Sequence, residues 1–144
     1  MVDELLRGFL DWLFARYREI MDTEANALAR LKGLFLAAFE AIEHRHSQVV
    51  IYQDEAKRLV TQPRFSYIED MNRRQRKMWV EVLNQGIDEG YFQPDLDVDL
   101  VYRFIRDTTW VSVRRYQPAG PLTAQQVGRQ YLAIVLGGIT KEGV

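Results

Sequence analysis

Apolar residues recur along this chain with the spacing of a helix. Leu6, Leu10, Leu13, Tyr17 and Ile20 follow one another at intervals of 4, 3, 4 and 3, which places them on one stripe of an α-helix. Leu5, Phe9 and Trp12 form a second stripe beside it. A helix apolar over more than one face is expected to be largely surrounded by others. A second helix is predicted from Asn26 to about His44, on Leu28, Leu31, Phe35, Ala38 and Ile42. It ends in Glu43-His44-Arg45-His46, which sets imidazoles and a guanidinium near the negative pole of the helix dipole. A third helix is predicted from Ser47, its N-cap, to about Val60.

Pro63 separates that helix from a long fourth one, about Phe65 to Glu89, whose stripe is Ile68, Met71, Gln75, Met78 and Val82 with Trp79 alongside. Gly90 suits the residue that closes it. The connector Gly90-Tyr91-Phe92-Gln93-Pro94-Asp95-Leu96-Asp97 follows, with Asp95 or Asp97 available to cap a fifth helix from about Val98 to Tyr116. Gln117-Pro118-Ala119-Gly120-Pro121 is a turn-rich stop. Thr123 caps a sixth helix that runs to about Ile139. No segment alternates with a period of two between turn signals, so no sheet is predicted. The expected fold class is all-α, six helices in one domain over residues 1–144, without repeats or low-complexity tracts.

Composition narrows the function classes. The 144 residues carry 19 Lys+Arg and 20 Asp+Glu, a formal charge of −1, which argues against a nucleic-acid surface spread over this chain. Hydrophobic residues at 47% and charged ones at 27% are a globular mixture, not a disordered one. With no cysteine, disulfides, thiolate nucleophiles and cysteine zinc sites are excluded from this chain. His44 and His46 stand two apart and point in different directions on a helix, the wrong spacing for a metal pair. Asp95, Asp97 and Asp99 are explained by capping. No nucleophile has an attendant base and no glycine loop cradles a phosphate, so neither an enzyme nor a resident cofactor or metal is expected. No apolar run is long enough to cross a bilayer and no signal peptide opens the chain. A soluble, cytoplasmic protein is the default expectation.

Two features point to binding. Tyr102, Arg106, Trp110 and Val113 lie along one face of the fifth helix. A guanidinium with an aromatic one turn away on each side is expected to be poorly hydrated and to seek an anion, a carbonyl or a ring face. From this pattern alone, an internal salt bridge from Arg106 to Glu40, Asp54 or Glu55 is preferred over a ligand anchor. Trp110 serves equally as a cavity wall or as a core or interface side chain. Arg73-Arg74-Gln75-Arg76-Lys77 is read as a solvated helix face balanced by Glu69, Asp70 and Glu81, with attraction of ligand phosphates as the alternative. The sixth helix is apolar nearly all round, through Val127, Tyr131, Ile134, Val135 and Gly138 with Leu132, Leu136 and Ile139 beside them. A terminal helix of a small domain rarely buries every face internally, so a partner is expected; a single buried helix of a monomer is the alternative.

Certain strings carry a family resemblance. Asp88-Glu89-Gly90-Tyr91-Phe92-Gln93-Pro94-Asp95-Leu96-Asp97 resembles the connector before the penultimate helix of TetR-family repressors, and Asn26-Ala27-Leu28-Ala29-Arg30-Leu31-Lys32 resembles the opening of an earlier helix in that family. The six-helix order matches over the whole chain. Ile51-Tyr52-Gln53-Asp54-Glu55, Phe65-Ser66-Tyr67-Ile68-Glu69-Asp70, Arg76-Lys77-Met78-Trp79 and Tyr102 to Trp110 look more narrowly like actinobacterial TetR-type repressors of late cholesterol-ring catabolism. The resemblance implies the C-terminal ligand-binding and dimerisation domain of such a repressor, with its N-terminal helix-turn-helix head absent from this chain. It implies an effector that is the CoA thioester of a steroid-derived indane propanoate, and operator DNA reached only through the missing head. It also turns Arg106 into a ligand anchor, with Tyr102 and Trp110 beside it. Phe9, Leu13, Phe35, Phe39, Met78, Trp79 and Val82 become candidate cavity walls, although for any single one of them ordinary core is the preferred reading. The last two helices would pair with those of a second copy in a four-helix, self-complementary interface through Val127, Tyr131, Ile134, Val135 and Gly138. A helical interaction module without a pocket is the rival.

Overall fold

The main predicted apolar stripes of the first, second and fourth helices are inward faces. In the computed structural model, which describes residues 2–59 and 61–141, the order is α1 (Val2–Thr23), α2 (Ala27–His44), α3 (His46–Leu59), a 3-10 turn (Pro63–Phe65), α4 (Ser66–Asp88), α5 (Val98–Arg115) and α6 (Ala124–Ile139). Among the described residues no strand forms. The stripe Leu6, Leu10, Leu13, Tyr17 and Ile20 is buried along its whole length, and α2 lies against α1, α3, α4, α5 and α6.

Local chemistry explains where the helices begin. The Asn26 carboxamide oxygen accepts from the Ala29 N–H at 2.9 Å and opens α2. The Asp97 carboxylate does the same for α5, accepting from Leu100 N–H at 3.2 Å. Thr123 and Gln126 form a reciprocal capping box at α6, at 3.0 and 2.8 Å. Gly90 adopts φ +84°, a left-handed conformation that side chains resist. It turns the chain so that the Tyr91 and Phe92 N–H groups both donate to the Gly86 carbonyl and close α4.

The boundary between α2 and α3 differs from expectation. Ser47 caps nothing; it lies inside α3. Arg45 alone separates the helices, donating its N–H to the Ala41 carbonyl at 2.8 Å and accepting from Val49 N–H at 3.0 Å. One residue thus closes one helix and opens the next, and its guanidinium lies 4.6 Å from the centre of the Trp12 ring. His46 therefore starts α3 and does not end α2, and its ring N–H donates to the Val113 carbonyl at 3.2 Å. The predicted end of this helix at Val60 lies outside the described residues. At Pro63 the 3-10 turn delays α4 by one residue and buries Phe65. Glu89 falls just beyond α4. Its carboxylate accepts from the Ala27 N–H at 2.9 Å and from Gln85 Nε2 at 2.7 Å, bonds that hold its pKa below the ordinary value.

Two close approaches lock the helices. Phe92 is fully buried against Gly86, and the connector around it pairs with the end of α6 through Gln93 N–H to Ile139 carbonyl and Lys141 N–H to Tyr91 carbonyl, both 2.9 Å. Phe35 and Phe39 stack at 5.3 Å on α2, and Phe39 lies over Gly128 of α6. A Cβ added at Gly128 would come within 2.6 Å of the Phe39 ring, whereas one at Gly8 on α1 would meet nothing within 4 Å. Gly128→Ala is therefore expected to lower stability by about 1–3 kcal/mol through overpacking. Gly8→Ala should raise it by about 0.5–1 kcal/mol through reduced unfolded-chain entropy. Chemical denaturation midpoints of the two variants check this opposite pair of signs.

Candidate functional site

Between α1, α2, α3, α4 and α5 the core leaves a cavity of about 690 Å³, within the range of drug-sized ligand sites. Residue size explains the space. α2 carries Phe39 where it meets Tyr131 of α6, and Ala38, Ala41 and Ile42 where it borders the cavity. The walls are apolar at depth, with Phe9 and Leu13 from α1, Trp79 from α4 and Ile105 from α5. Exposed Glu69, Arg73, Arg76, Arg106 and Asp107 also line the cavity, so charge collects at its mouth.

The predicted face of α5 is borne out as geometry: Tyr102, Arg106, Trp110 and Val113 all line the cavity. The surroundings of Arg106 differ from expectation, however. Its side chain is 51% exposed, so it is not poorly hydrated, and none of the acids proposed for an internal salt bridge reaches it. Glu40 pairs with Arg16 at 3.4 Å, Asp54 with Arg114 and Glu55 with Arg58. The Arg106 partner is the adjacent Asp107 at 3.4 Å, on the same exposed edge, an ion pair that water screens. The guanidinium carbon stands 5.9 Å from the Tyr102 ring centre. Trp110 sits at the mouth, edge-on to Tyr52 at 6.5 Å.

The other candidates divide. Phe9, Leu13 and Trp79 join Tyr102, Arg106 and Trp110 around the cavity. Phe35 and Val82 are fully buried elsewhere in the core, Met78 is half-buried outside the lining, and Phe39 borders a separate hollow of about 210 Å³ between α2, the end of α5 and α6. Their stripes share a period with the cavity residues, but helical phase turns them to other neighbours. Of the basic run, Arg73 and Arg76 reach the mouth. Arg73 is held by Glu69 at 3.4 Å, Arg74 by Asp70 at 3.1 Å, Lys77 by Glu81 at 4.0 Å, and Arg76 crosses to Asp99 on α5. The solvated-face reading thus holds for Arg74 and Lys77, whereas Arg73 and Arg76 also border the site.

Apart from Tyr102, the polar residues inside the cavity were not singled out in the sequence reading. Tyr17, Tyr52 and Tyr102 converge from three helices, and burial, the largest cause, raises the pKa of each phenol. They stay neutral at physiological pH. Tyr52 donates to the Asn72 carboxamide oxygen, and Gln53 is buried beside α5. The available signal was a phenol at an inward position of α1 and another on α3, a choice a purely apolar core does not need.

A second surface was half anticipated. On α6, Ile134 is 65% exposed and Gly138 has open space around it, while Val127 and Tyr131 are half-buried. Val135 is turned inward: it continues the core stripe Ala124, Gly128, Leu132 and Ile139 and does not belong to the outer face. On α5, Leu100, Phe104 and Val111 form an exposed stripe at helical spacing that the sequence reading did not single out.

Known proteins share this architecture. Residues 24–139 match the family described as "Tetracyclin repressor-like, C-terminal domain". The chain is 83% identical over 144 residues to the "HTH-type transcriptional repressor KstR2" of Mycobacterium tuberculosis, spanning 100% of this chain and 72% of that protein. It is 69% identical over 141 residues to the protein of that name from Mycolicibacterium smegmatis, spanning 98% of this chain and 69% of the relative. The solved structure of the "ketosteroid transcriptional regulator KstR2 of Mycobacterium tuberculosis" superposes with a TM-score of 0.97 at 83% identity, over 99% of this chain and 72% of that one. With both the family match and these relatives covering most of its length, the chain belongs to the TetR-like repressor C-terminal domain family.

Proposed function

We propose that this chain is the ligand-sensing and dimerisation domain of a transcriptional repressor, released from its operator by a CoA thioester of a cholesterol-ring degradation intermediate. The observation that carries the reading is the 690 Å³ cavity, apolar within and edged by guanidinium groups. An alicyclic acyl group suits the Phe9, Leu13, Trp79 and Ile105 walls. An acyl-CoA has its phosphates at the other end, where Arg73, Arg76 and Arg106 would attract them. In support, relatives at 83% and 69% identity are named as transcriptional repressors, and the solved relative is described as a ketosteroid regulator. The role is non-enzymatic and cytoplasmic, and operator contact is assigned to an N-terminal helix-turn-helix head outside this chain.

Derepression requires that effector bind better to a shape whose DNA heads are wrongly spaced. Helix α1 suits the transmitter's role. Phe9, Leu13 and Tyr17 line the cavity from its middle turns. At its start the Tyr67 hydroxyl of α4 donates to the Asp3 carboxylate at 2.7 Å, with the Arg7 guanidinium 3.9 Å from the Tyr67 ring centre. Dimerisation is assigned to α5 and α6, with Leu100 and Phe104 added to Val127, Tyr131, Ile134 and Gly138. Five large apolar side chains on these helices and their connection, Leu100, Phe104, Val111, Leu122 and Ile134, are at least half exposed, and covering them is favourable at about 25 cal/mol per Å².

Three measurements test the reading. Thermal denaturation with indane-propanoyl-CoA, set against free CoA and palmitate, is expected to show stabilisation by the thioester alone, by about 2.7 kcal/mol at a hundred times its Kd. Arg106→Ala should weaken the thioester about tenfold while operator binding by the intact protein persists. Equal stabilisation by free CoA, or none by the thioester, favours the pocketless interaction module. In sedimentation, the unmodified protein is expected to run as a dimer. Ile134→Glu with Phe104→Glu should raise its dissociation constant at least tenfold, or about 1.4 kcal/mol, with helicity retained.

A further inference from the structure

Helices α1 and α4 are joined by side chains at two levels. Deep in the core, Tyr17 of α1 meets Trp79 of α4 edge-on at 6.2 Å, and both rings are buried. At the start of both helices the join is polar. The Tyr67 hydroxyl donates to the Asp3 carboxylate at 2.7 Å. The Arg7 guanidinium lies 3.9 Å from the centre of the Tyr67 ring and donates to the same carboxylate oxygen at 3.2 Å. The buried Phe65 ring backs the phenol at 6.1 Å. The two levels stand about 20 Å apart along the helices, at 1.5 Å of rise per residue. The cavity residues of these helices, Phe9 and Leu13 on α1 with Asn72 and Arg76 on α4 among them, fall between the two joins.

The joins differ in strength. Tyr17 and Trp79 separate only with loss of core packing. At the polar join the Asp3 and Arg7 side chains are 43% and 55% exposed, so water replaces their bonds at small cost. A guest that packs on Phe9 and Leu13 and recruits Arg76 bears on both helices between the joins, and the start of α1 is where they part first. We propose that Tyr67 is a latch: its bond to Asp3 holds the start of α1 in the operator-binding arrangement, and a ligand bearing on both walls of the cavity opens it. This rests on the reading of the chain as the ligand-sensing domain of a repressor whose DNA head precedes α1, and names the bond that ligand binding breaks. Tyr67 is a positioning residue, for neither it nor Asp3 nor Arg7 lines the cavity. By linkage, a bond present in the empty state and absent in the filled one disfavours the filled state by its own free energy. Deleting it makes the ligand bind more tightly, although no ligand contact is gained.

The test is calorimetric titration of the intact repressor, head included, with indane-propanoyl-CoA, beside operator binding followed by fluorescence anisotropy. Tyr67→Phe is expected to bind the thioester about fivefold more tightly than the unmodified protein. It should leave the operator at a correspondingly lower thioester concentration, with operator affinity in the absence of thioester unchanged or weaker. Asp3→Ala should give a similar gain, and the double variant no more than either single one, because both remove the same bond. A tyrosine with a structural role alone would lower the melting temperature and leave thioester affinity unchanged or weaker; that result overturns the proposal, as does a gain that adds in full in the double variant. If Tyr67→Phe does not fold, the sign of the change in Asp3→Ala decides. If the unmodified protein binds the thioester and neither variant gains affinity, only the latch fails; if it binds no thioester, the pocket reading fails and the latch with it.

Discussion

Helix α2 has to approach one neighbour closely and stand off from others, and the cavity exists because it does both. Protein interiors are packed like organic crystals, and a void forfeits the dispersion contacts of its lining. An opening of 690 Å³ therefore has to be offset by tight packing elsewhere. Phe39, stacked on Phe35, is seated on the bare backbone of Gly128, while Ala38 and Ala41 border the cavity from another face of α2. The second lock, Phe92 against Gly86, ties the connector to α4 and the end of α6. Large side chains meet glycines where the structure must hold, and on α2 two alanines border the space that stays open.

This division marks how much was legible in the sequence. Helix positions were, because a 3.6-residue period repeated over four or five turns leaves little ambiguity, and because Asp97, Gly90 and Thr123 act within their own turn of chain. The α2–α3 break was not: one residue, Arg45, manages it by stacking on Trp12 from α1, a partner distant in sequence. The same limit applies to the site. The Tyr102, Arg106 and Trp110 face followed from one helix alone. Whether Phe35 or Phe9 lines the cavity depends on how helices are rotated against one another, and both belong to equally regular stripes. Phe9 reaches the cavity and Phe35 does not.

The electrostatics sort in the same way. Most ion pairs are exposed and local, such as Arg7 with Asp3 and Arg73 with Glu69, and contribute little. Those that join helices matter through position. Arg76 to Asp99 links α4 to α5 beside the cavity mouth, and Arg114 to Asp54 links α5 to α3. A guest that recruits Arg76 competes with the first of these and alters how α4 and α5 are held. A local event at the mouth then bears on two helices that also form the walls.

The exposure of Arg106 fits the proposed role better than burial would. A buried guanidinium needs a permanent internal carboxylate to offset its desolvation, and that carboxylate would compete with any anionic guest. At the mouth, water and the loosely placed Asp107 at 3.4 Å hold the charge instead, and both are displaced at small cost. The energy of pairing with a guest is then not spent on breaking a strong internal bond. A side chain that contributes little to the empty domain can contribute more to the filled one, and that difference between states is what allows a ligand to shift a conformational equilibrium.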